Sequence, residues 1–355
     1  MCIRDSVRTT CTYCGVGCQL DVSLIDDEIR GIQAPVTAEV NEGHTCLKGR
    51  FAFQFYDHPD RLREPLIKKN GKFEVATWDE AYDYITEGLL KVKEQYGADA
   101  IGCISSSRAT NEENYLMQKM TRVALNTNNI DGCARVCHAP TAYGMQKSFG
   151  TGAATNSIED LKQTDCIFLF GANPTEAHPV TGARIKQLFM QGITSIVVDP
   201  VRTSLAELAT YHLQLRPGTN VALLNMMGHY IVRENLVKTE FIQKFTEHFE
   251  DFKNHVLSLD MDELELLTGV SKELVREAAL AYARAEKSME FHGLGVTEHF
   301  QGSKTVMLLS NLAMMTGNVG QSGTGLNPLR GQNNEQAAAD MGVQPHQGAG
   351  YMDVN

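Results

Sequence analysis

Positive charge is in short supply in this 355-residue sequence: 32 lysines and arginines face 43 acidic residues, a formal net charge of -11. A nucleic-acid surface needs clustered Lys and Arg to neutralise phosphates, so no nucleic-acid partner is expected. Long apolar runs are missing as well. None approaches the roughly 20 residues that cross a bilayer, so no direct membrane span is expected. The first residues, MCIRDSVRTT, carry neither a secretory apolar stretch nor a twin-arginine signal, and a soluble, cytoplasmic chain is expected. Internal repeats and low-complexity segments are absent. So is a G-x-G-x-x-G fingerprint, because Gly293-x-Gly295 is followed by Glu298; simple nicotinamide binding is poorly supported. The nine cysteines are an odd number with no framework spacing, which excludes full disulfide pairing and points to metal binding or catalysis.

What remains is ordinary globular composition, 43% hydrophobic and 21% charged, in a length suited to two or three domains. Up to about Phe55, short β-like runs (Gln19 to Leu24, Glu28 to Ile32) alternate with loops holding four cysteines. Few residues there could make a core, so a bound metal or cluster would be its structural centre. Thr77-Trp78-Asp79-Glu80 is a capping box, which predicts a helix with Ala81, Tyr84, Ile85, Leu89 and Val92 on one face. From Ala98 the pattern becomes strand–turn–helix. Apolar strands are predicted over Ala100 to Ile104, Cys166 to Phe170, Ile193 to Val198 and Met289 to His292, with helices from about Glu112, Pro179 and Ser303. Buried strands alternating with helices imply an α/β fold of Rossmann-like parallel sheets, whose carboxyl edge binds nucleotides. The chain stops at Asp353-Val354-Asn355 without a terminating element, and a piece of a longer protein is expected.

Four motifs carry chemistry. Cys11-x2-Cys14-x3-Cys18-x27-Cys46 places three thiolates on one loop and a fourth at a distance, the way a chain wraps a [4Fe–4S] cube. Structural zinc is the alternative, although the paired short knuckles usual for zinc are absent. Lys48 follows two residues after the fourth cysteine; it is either beside the cluster or a solvated surface lysine. Cys133-Ala-Arg-Val-Cys137-His138-Ala-Pro140 offers a thiolate–imidazole pair, a metal ligand with an adjacent acid–base group, or a buried cysteine beside a capping histidine. The turns after the apolar strands, with Gly171, Asn173, Asp199, Arg202, Gly218 and Asn220, could cradle phosphates or bind a base or ribose edge, or could simply be turns. Arg330, in Asn327-Pro-Leu-Arg330-Gly-Gln332-Asn333-Asn334, could clamp a small carboxylate or pair with a structural one.

These pieces occur together and in order from about Thr9 to Asn355, and there the chain resembles the catalytic subunits of formate dehydrogenases in the molybdopterin oxidoreductase (dimethyl sulfoxide reductase) superfamily. The resemblance rests on C-T-Y-C-G-V-G-C, C-L-K-G-R, S-S-R-x-T-N-E-E-N-Y, R-V-C-H-x-P, G-A-N-P-x-E-x-H-P and N-P-L-R-G-Q-N-N. It implies that Cys11, Cys14, Cys18 and Cys46 hold a [4Fe–4S] cluster. It further implies that Cys137 ligates the molybdenum or tungsten of a bis-molybdopterin guanine dinucleotide, that His138 is the adjacent acid–base group, and that Arg330 orients formate. Lys48 would lie between cluster and pterin. Arg108, Gly171, Asn173, Asp199, Arg202, Gly218, Asn220, Gly295 and Gln332 match stretches that touch the two pterin dinucleotides.

The reaction so implied is formate to CO2, with electrons passing through the cluster to an iron–sulfur or flavin subunit. The expected domains are residues 1–58 for the cluster, 59–132 for the first part of one α/β pterin-binding domain, and 133–332 for a second carrying Cys137. Residues 333–355 would begin the return to the first. A relative acting on another oxyanion, such as nitrate, and a non-catalytic iron–sulfur electron-transfer subunit are the competing readings; the Cys137-His138 pair and Arg330 speak against both. Three departures stand out. Residues 1–8 match nothing in the family, an assembly or cloning remnant is expected there, and Cys2 is expected not to be a ligand. The barrel-like domain that closes over the pterins is lacking, so this piece alone is expected to be inactive. Glu298 stands where an amide is often found.

Overall fold

The computed structural model describes residues 4–354, so Cys2 lies outside the described residues. At the amino-terminal end β1 (Arg4–Thr10), β2 (Gln19–Ile25) and β3 (Glu28–Gln33) form an antiparallel meander. Its apolar cluster is small: Cys11, Cys18, Leu20 and Ile32, joined by Val180 from the neighbouring α/β part. Two of these five are cysteines, so this module depends on what its thiols hold. A short helix, α1 (Leu47–Phe51), starts at Cys46.

β4 (Leu66–Lys69) and β5 (Lys72–Val75) pair across Asn70-Gly71, both at positive φ (50° and 84°), the geometry an Asn-Gly hairpin turn favours. α2 (Trp78–Tyr96) opens on the capping box: Glu80 N–H donates to the Thr77 hydroxyl, and the Glu80 carboxylate accepts from Thr77 N–H at 2.8 Å. The expected buried face is not observed. Ala81 is buried, but Tyr84 and Ile85 are exposed. The parallel sheet in this stretch, β6 (Cys103–Ser105) with β7 (Ile130–Gly132), has two strands among the described residues and offers little surface to cover. The strand expected from Ala100 begins instead at Cys103, because Ala98–Ala100 forms a 3-10 turn. α3 (Asn111–Lys119) carries a second capping box, Thr110 with Glu113. α4 (Ala134–Cys137) and α5 (Ala139–Phe149) follow.

The principal sheet is parallel throughout, in order β10-β9-β8-β11-β12. Its strands are β8 (Cys166–Phe170), β9 (Thr194–Val198), β10 (Tyr211–Leu213), β11 (Ser288–His292) and β12 (Gly325–Pro328). The first strand in sequence is central, and the order reverses on either side of it. The carboxyl ends of β8 and β11 therefore flank the switch point where open α/β sheets bind ligands. Every residue of β8 and β11 is buried, which is why these strands read as continuous runs without alternation. Phe168 and Phe170 point into one core cluster and Ile167 and Leu169 into the other, one on each face.

Two short helices hold the switch-point turns, α6 (Pro174–Ala177) after β8 and, further along, α13 (Leu294–Thr297) after β11. α7 (Pro179–Met190) covers one face. The opposite face is covered by α8 (Asn220–Arg233), which is buried along almost its whole length beneath α10 (Phe249–Leu257), α11 (Met261–Thr268), α12 (Lys272–Arg284) and α14 (Gly302–Met315). α9 (Thr239–Phe245) packs on α14. After β12 the chain leaves the sheet as α15 (Glu335–Asp340), which packs on α3 and α4. The Arg122 guanidinium fastens the following segment by donating to the carbonyls of Gly342, Gln344 and Gln347.

Glu290, in the middle of β11, is fully buried; it accepts from the Tyr282 hydroxyl and its second oxygen has no partner among the described residues. Burial pushes its carboxyl from the ordinary 4.5 up to about 8. Between those values the folded chain holds a proton that the unfolded chain releases. Stability is therefore lost as pH rises through this window, by at most about 1.4 kcal/mol per pH unit. Glu290→Gln keeps the acceptor for Tyr282 and removes the titration. Denaturant midpoints taken at pH 5.5, 6.5 and 7.5 should fall more steeply in the parent than in the variant; parallel slopes would show that Glu290 is not buried as described.

Candidate metal and cofactor site

Cys11, Cys14, Cys18 and Cys46 line one small pocket together with Thr45, Lys48, Pro179 and Val180. The loop is closed by Cys11 N–H donating to the Cys18 carbonyl at 2.8 Å. None of the four is in a disulfide. Burial and the proximity of the other cysteines push the Cys18 thiol up to about 12, and burial raises Cys11 and Cys14 too. Four thiolates crowded together repel unless a cationic core compensates them, and an all-sulfur donor set suits an iron–sulfur cluster. Lys48 stands at the mouth of this pocket. Its charge reaches His178, whose imidazole is held below its usual range chiefly by burial.

Cys137 closes α4 and is buried. Its carbonyl accepts from the Thr297 hydroxyl at 2.5 Å, and its thiol faces Gln332 Oε1 at 3.7 Å. Burial and then the Glu335 carboxyl push the thiol up to about 12. Ligand atoms of Cys137, His138 and Glu335 lie within 4.8 Å of one another. A single soft sulfur suits a metal whose other ligands come from elsewhere, and dithiolene sulfurs would supply them. His138 is completely buried, and burial with the nearby Arg330 charge depresses it to about 3, so the ring is neutral. Its Nε2–H donates to the Leu329 carbonyl at 3.0 Å, an atom that can only accept. Nδ1 therefore accepts from the Thr141 hydroxyl at 2.9 Å, and Thr141 in turn accepts from His292 Nε2–H at 2.9 Å.

Arg330 lies between the two centres. Its Nη2 donates to the Gly152 carbonyl at 2.8 Å, and its Nη1 is 3.8 Å from the Glu335 carboxylate. His178 Nε2–H donates to the Arg330 carbonyl at 2.6 Å. Gly15 N–H donates to the Gly331 carbonyl at 3.2 Å, and Cys14 forms a β-bridge with Gln332. The cluster loop and the Cys137 pocket thus meet on one short segment. His178, Glu335, Thr141 and His292 were not singled out in the sequence. His178 sits inside the Gly171-to-Pro179 stretch, and its distance from a buried strand end was a usable signal. Glu335 reads like any solvated acidic residue at a helix start.

The remaining candidates lie at the sheet edge and the turns beyond it, apart from Arg108. Gly171, Gly295 and Asn220 come together: Gly295 N–H donates to the Gly171 carbonyl at 2.9 Å and Asn220 Nδ2 to the Gly295 carbonyl at 3.0 Å. Gly171 has φ +56° and a Cβ there would fall 2.6 Å from the Gly295 carbonyl carbon, so the two turns touch backbone to backbone. That leaves a switch-point edge bare of side chains, as phosphates require. Gly218 and Asn220 line a groove with His299, Phe300, Gln301 and Thr305. Asn173, at the start of α6, accepts from the Thr175 hydroxyl at 2.8 Å. Asp199, raised by burial, accepts from Val201 N–H at 2.8 Å beyond β9, and Arg202 nearby is exposed. The Arg108 guanidinium donates to the Thr12 and Tyr13 carbonyls and braces the cluster loop. Asn333 Oδ1 and Gln336 Oε1 are buried acceptors without partners, the kind of atom that the ring N–H groups of a pterin satisfy.

Residues 61–352 match the family description "Molybdopterin oxidoreductase", and residues 5–58 match "Molybdopterin oxidoreductase Fe4S4 domain". The chain belongs to the molybdopterin oxidoreductase family. All four clustered cysteines fall within the Fe4S4 part, and the family's cofactors are a [4Fe–4S] cluster and a molybdopterin-bound molybdenum or tungsten. The chain is 46% identical over 348 residues to an F420-dependent formate dehydrogenase subunit alpha of Methanocaldococcus jannaschii, covering 98% of this chain and 51% of that one. It is 41% identical over 355 residues to formate dehydrogenase H of Escherichia coli, covering 98% and 50%. It thus spans about half the length of the curated relatives it matches. Among solved structures, acetylene hydratase of Pelobacter acetylenicus superimposes with a TM-score of 0.78 at 24% identity, covering 90% of this chain and 44% of the other, a likeness of fold. Among the described residues no helix is long and apolar enough to cross a membrane.

The junction between the centres has no room for a methyl group: a Cβ on Gly15 would lie 2.3 Å from the Arg330 carbonyl oxygen. Gly15→Ala in the molybdopterin oxidoreductase should therefore cost about 1–3 kcal/mol of stability and shift the Arg330 segment. Gly17→Ala is the control, since that position has a positive φ of 74° but open space around it, and should cost about 1 kcal/mol. Denaturation of the two full-length variants, followed by cluster absorbance, measures the difference; equal losses would show that the Gly15–Arg330 contact is not tight.

Proposed function

We propose that this chain is the catalytic part of a formate dehydrogenase, converting formate to CO2, one proton and two electrons. The observation that carries the proposal is the convergence of a buried thiol, Cys137, a buried neutral imidazole, His138, and a largely buried guanidinium, Arg330, beside the four-cysteine pocket. The relatives bearing formate dehydrogenase names support it. In this reading Cys137 ligates the molybdenum or tungsten, and Cys11, Cys14, Cys18 and Cys46 hold the cluster. The bis-molybdopterin guanine dinucleotide, when bound, supplies the two-electron acceptor chemistry.

Arg330 does the chain's share of substrate binding. Its guanidinium makes one protein hydrogen bond among the described residues, to Gly152, which leaves donors for a carboxylate in a site shielded from water. His138 handles the proton. Its Nε2–H is held on the Leu329 carbonyl and its Nδ1 accepts from the Thr141 hydroxyl, so proton exchange at the ring runs through that hydroxyl. Gly171, Asn173, Asp199, Arg202, Gly218, Asn220, Gly295 and Gln332 border the pterin dinucleotides, and Arg108 acts at one remove by bracing the cluster loop. Lys48, at the mouth of the cysteine pocket, lies on the electron route, which ends in an iron–sulfur or flavin partner subunit in the cytoplasm. The division at residues 58, 132 and 332 follows the same reading.

Anaerobic dye reduction by the full-length holoenzyme tests this. Formate should drive it, Cys137→Ala should abolish it, and Arg330→Ala should raise the KM for formate at least about tenfold with iron content unchanged. Full molybdenum or tungsten loading without formate-dependent reduction would overturn the assignment.

A further inference from the structure

Glu335 is the polar side chain in this region that the proposed function does not use. It opens α15, its side chain is fully buried, and neither carboxylate oxygen has a hydrogen bond of good geometry among the described residues, the Cys137 thiol and the backbone of Gly331 and His138 being its nearest polar neighbours. Its nearest opposite charge is Arg330 Nη1 at 3.8 Å, and it lies within 4.8 Å of Cys137 and His138 ligand atoms. A buried carboxylate without well-formed hydrogen bonds is expensive to keep charged unless an opposite charge compensates it. Arg330, with Nη1 3.8 Å from the carboxylate, is that charge.

The same guanidinium is the group assigned to hold the substrate carboxylate. Two carboxylates on one arginine repel each other in a site poor in water, where such repulsion is weakly screened. We propose that Glu335 is a specificity-determining residue: an internal carboxylate that competes with small anionic substrates for Arg330 and sets a deliberately weak affinity for them. This rests on the reading of Arg330 as the anion-binding group. The geometry gives a direction opposite to that of a merely structural residue. Removing the Glu335 charge leaves Arg330 buried and unpaired, so the empty protein loses stability while its affinity for anions rises.

The test uses the full-length holoenzyme and its Glu335→Gln and Glu335→Val variants, with nitrate as the probe because it is a planar monovalent oxyanion that needs no turnover. Both variants should unfold at lower temperature than the parent without nitrate and gain more from it, with a nitrate Kd lower by about tenfold. The KM for formate should fall in parallel while kcat stays within a few-fold. If one variant fails to fold, the other decides. A nitrate affinity unchanged or weakened in the folded variant, or loss of the metal from it, would overturn the proposal, the second outcome making Glu335 a ligand instead. Nitrate binding that tightens as expected in an enzyme that never turns over formate would sink the formate reading and leave the role of Glu335 standing.

Discussion

Everything in this site hangs on the backbone from Leu329 to Gln332. Four contacts grip it: His138 on the Leu329 carbonyl, His178 on the Arg330 carbonyl, Gly15 N–H on the Gly331 carbonyl, and the bridge from Cys14 to Gln332. They come from three separate parts of the chain: the start of α5, the turn before α7, and two neighbouring positions of the cluster loop. A segment held from all sides cannot move without disturbing both the thiol pocket and the cluster pocket. That rigidity suits the proposed substrate, because a one-carbon carboxylate offers little binding energy with which to order a floppy site.

The sheet makes this grip possible. Because β8 is both first in sequence and central in space, the ends of β8, β11 and β12 open at one edge, and the Arg330 segment is the direct continuation of β12. Gly171 and Gly295 bring the two switch-point turns into backbone contact, keeping that edge low and free of side chains. The fold thus provides a bare shelf beside a gripped loop. Ion pairs then join the modules, with Arg184 of α7 bonded to both Glu42 in the cluster module and Glu159 before β8.

Some of this was legible in the sequence because it depends on local spacing. The cysteine intervals anticipate one shared pocket, the capping box anticipates α2, and the apolar run from Cys166 to Phe170 anticipates a strand buried on both faces. What was not legible depends on the completed fold. Nothing in the order of residues distinguishes Glu335 from a solvated glutamate until α15 turns it inward. The Thr141–His292 contact spans 151 residues and exists because α5 crosses the end of β11. The reach of Arg108 back to the Thr12 and Tyr13 carbonyls of the cluster loop, across 96 and 95 residues, is likewise a product of the completed fold. The apolar stripe of α2 is real in sequence but lies open at Tyr84 and Ile85, since periodicity reports a face and not its partner.

On the proposed reading, formate oxidised beside Cys137 delivers its electrons to the four-cysteine cluster, whose loop meets the Cys137 pocket at the Arg330 segment. Electron paramagnetic resonance of the anaerobic full-length holoenzyme tests it most directly. Formate alone should convert the silent oxidised cluster to its reduced, paramagnetic form, to the same extent as a strong chemical reductant. A cluster that the chemical reductant reduces but that stays silent with formate would contradict the account.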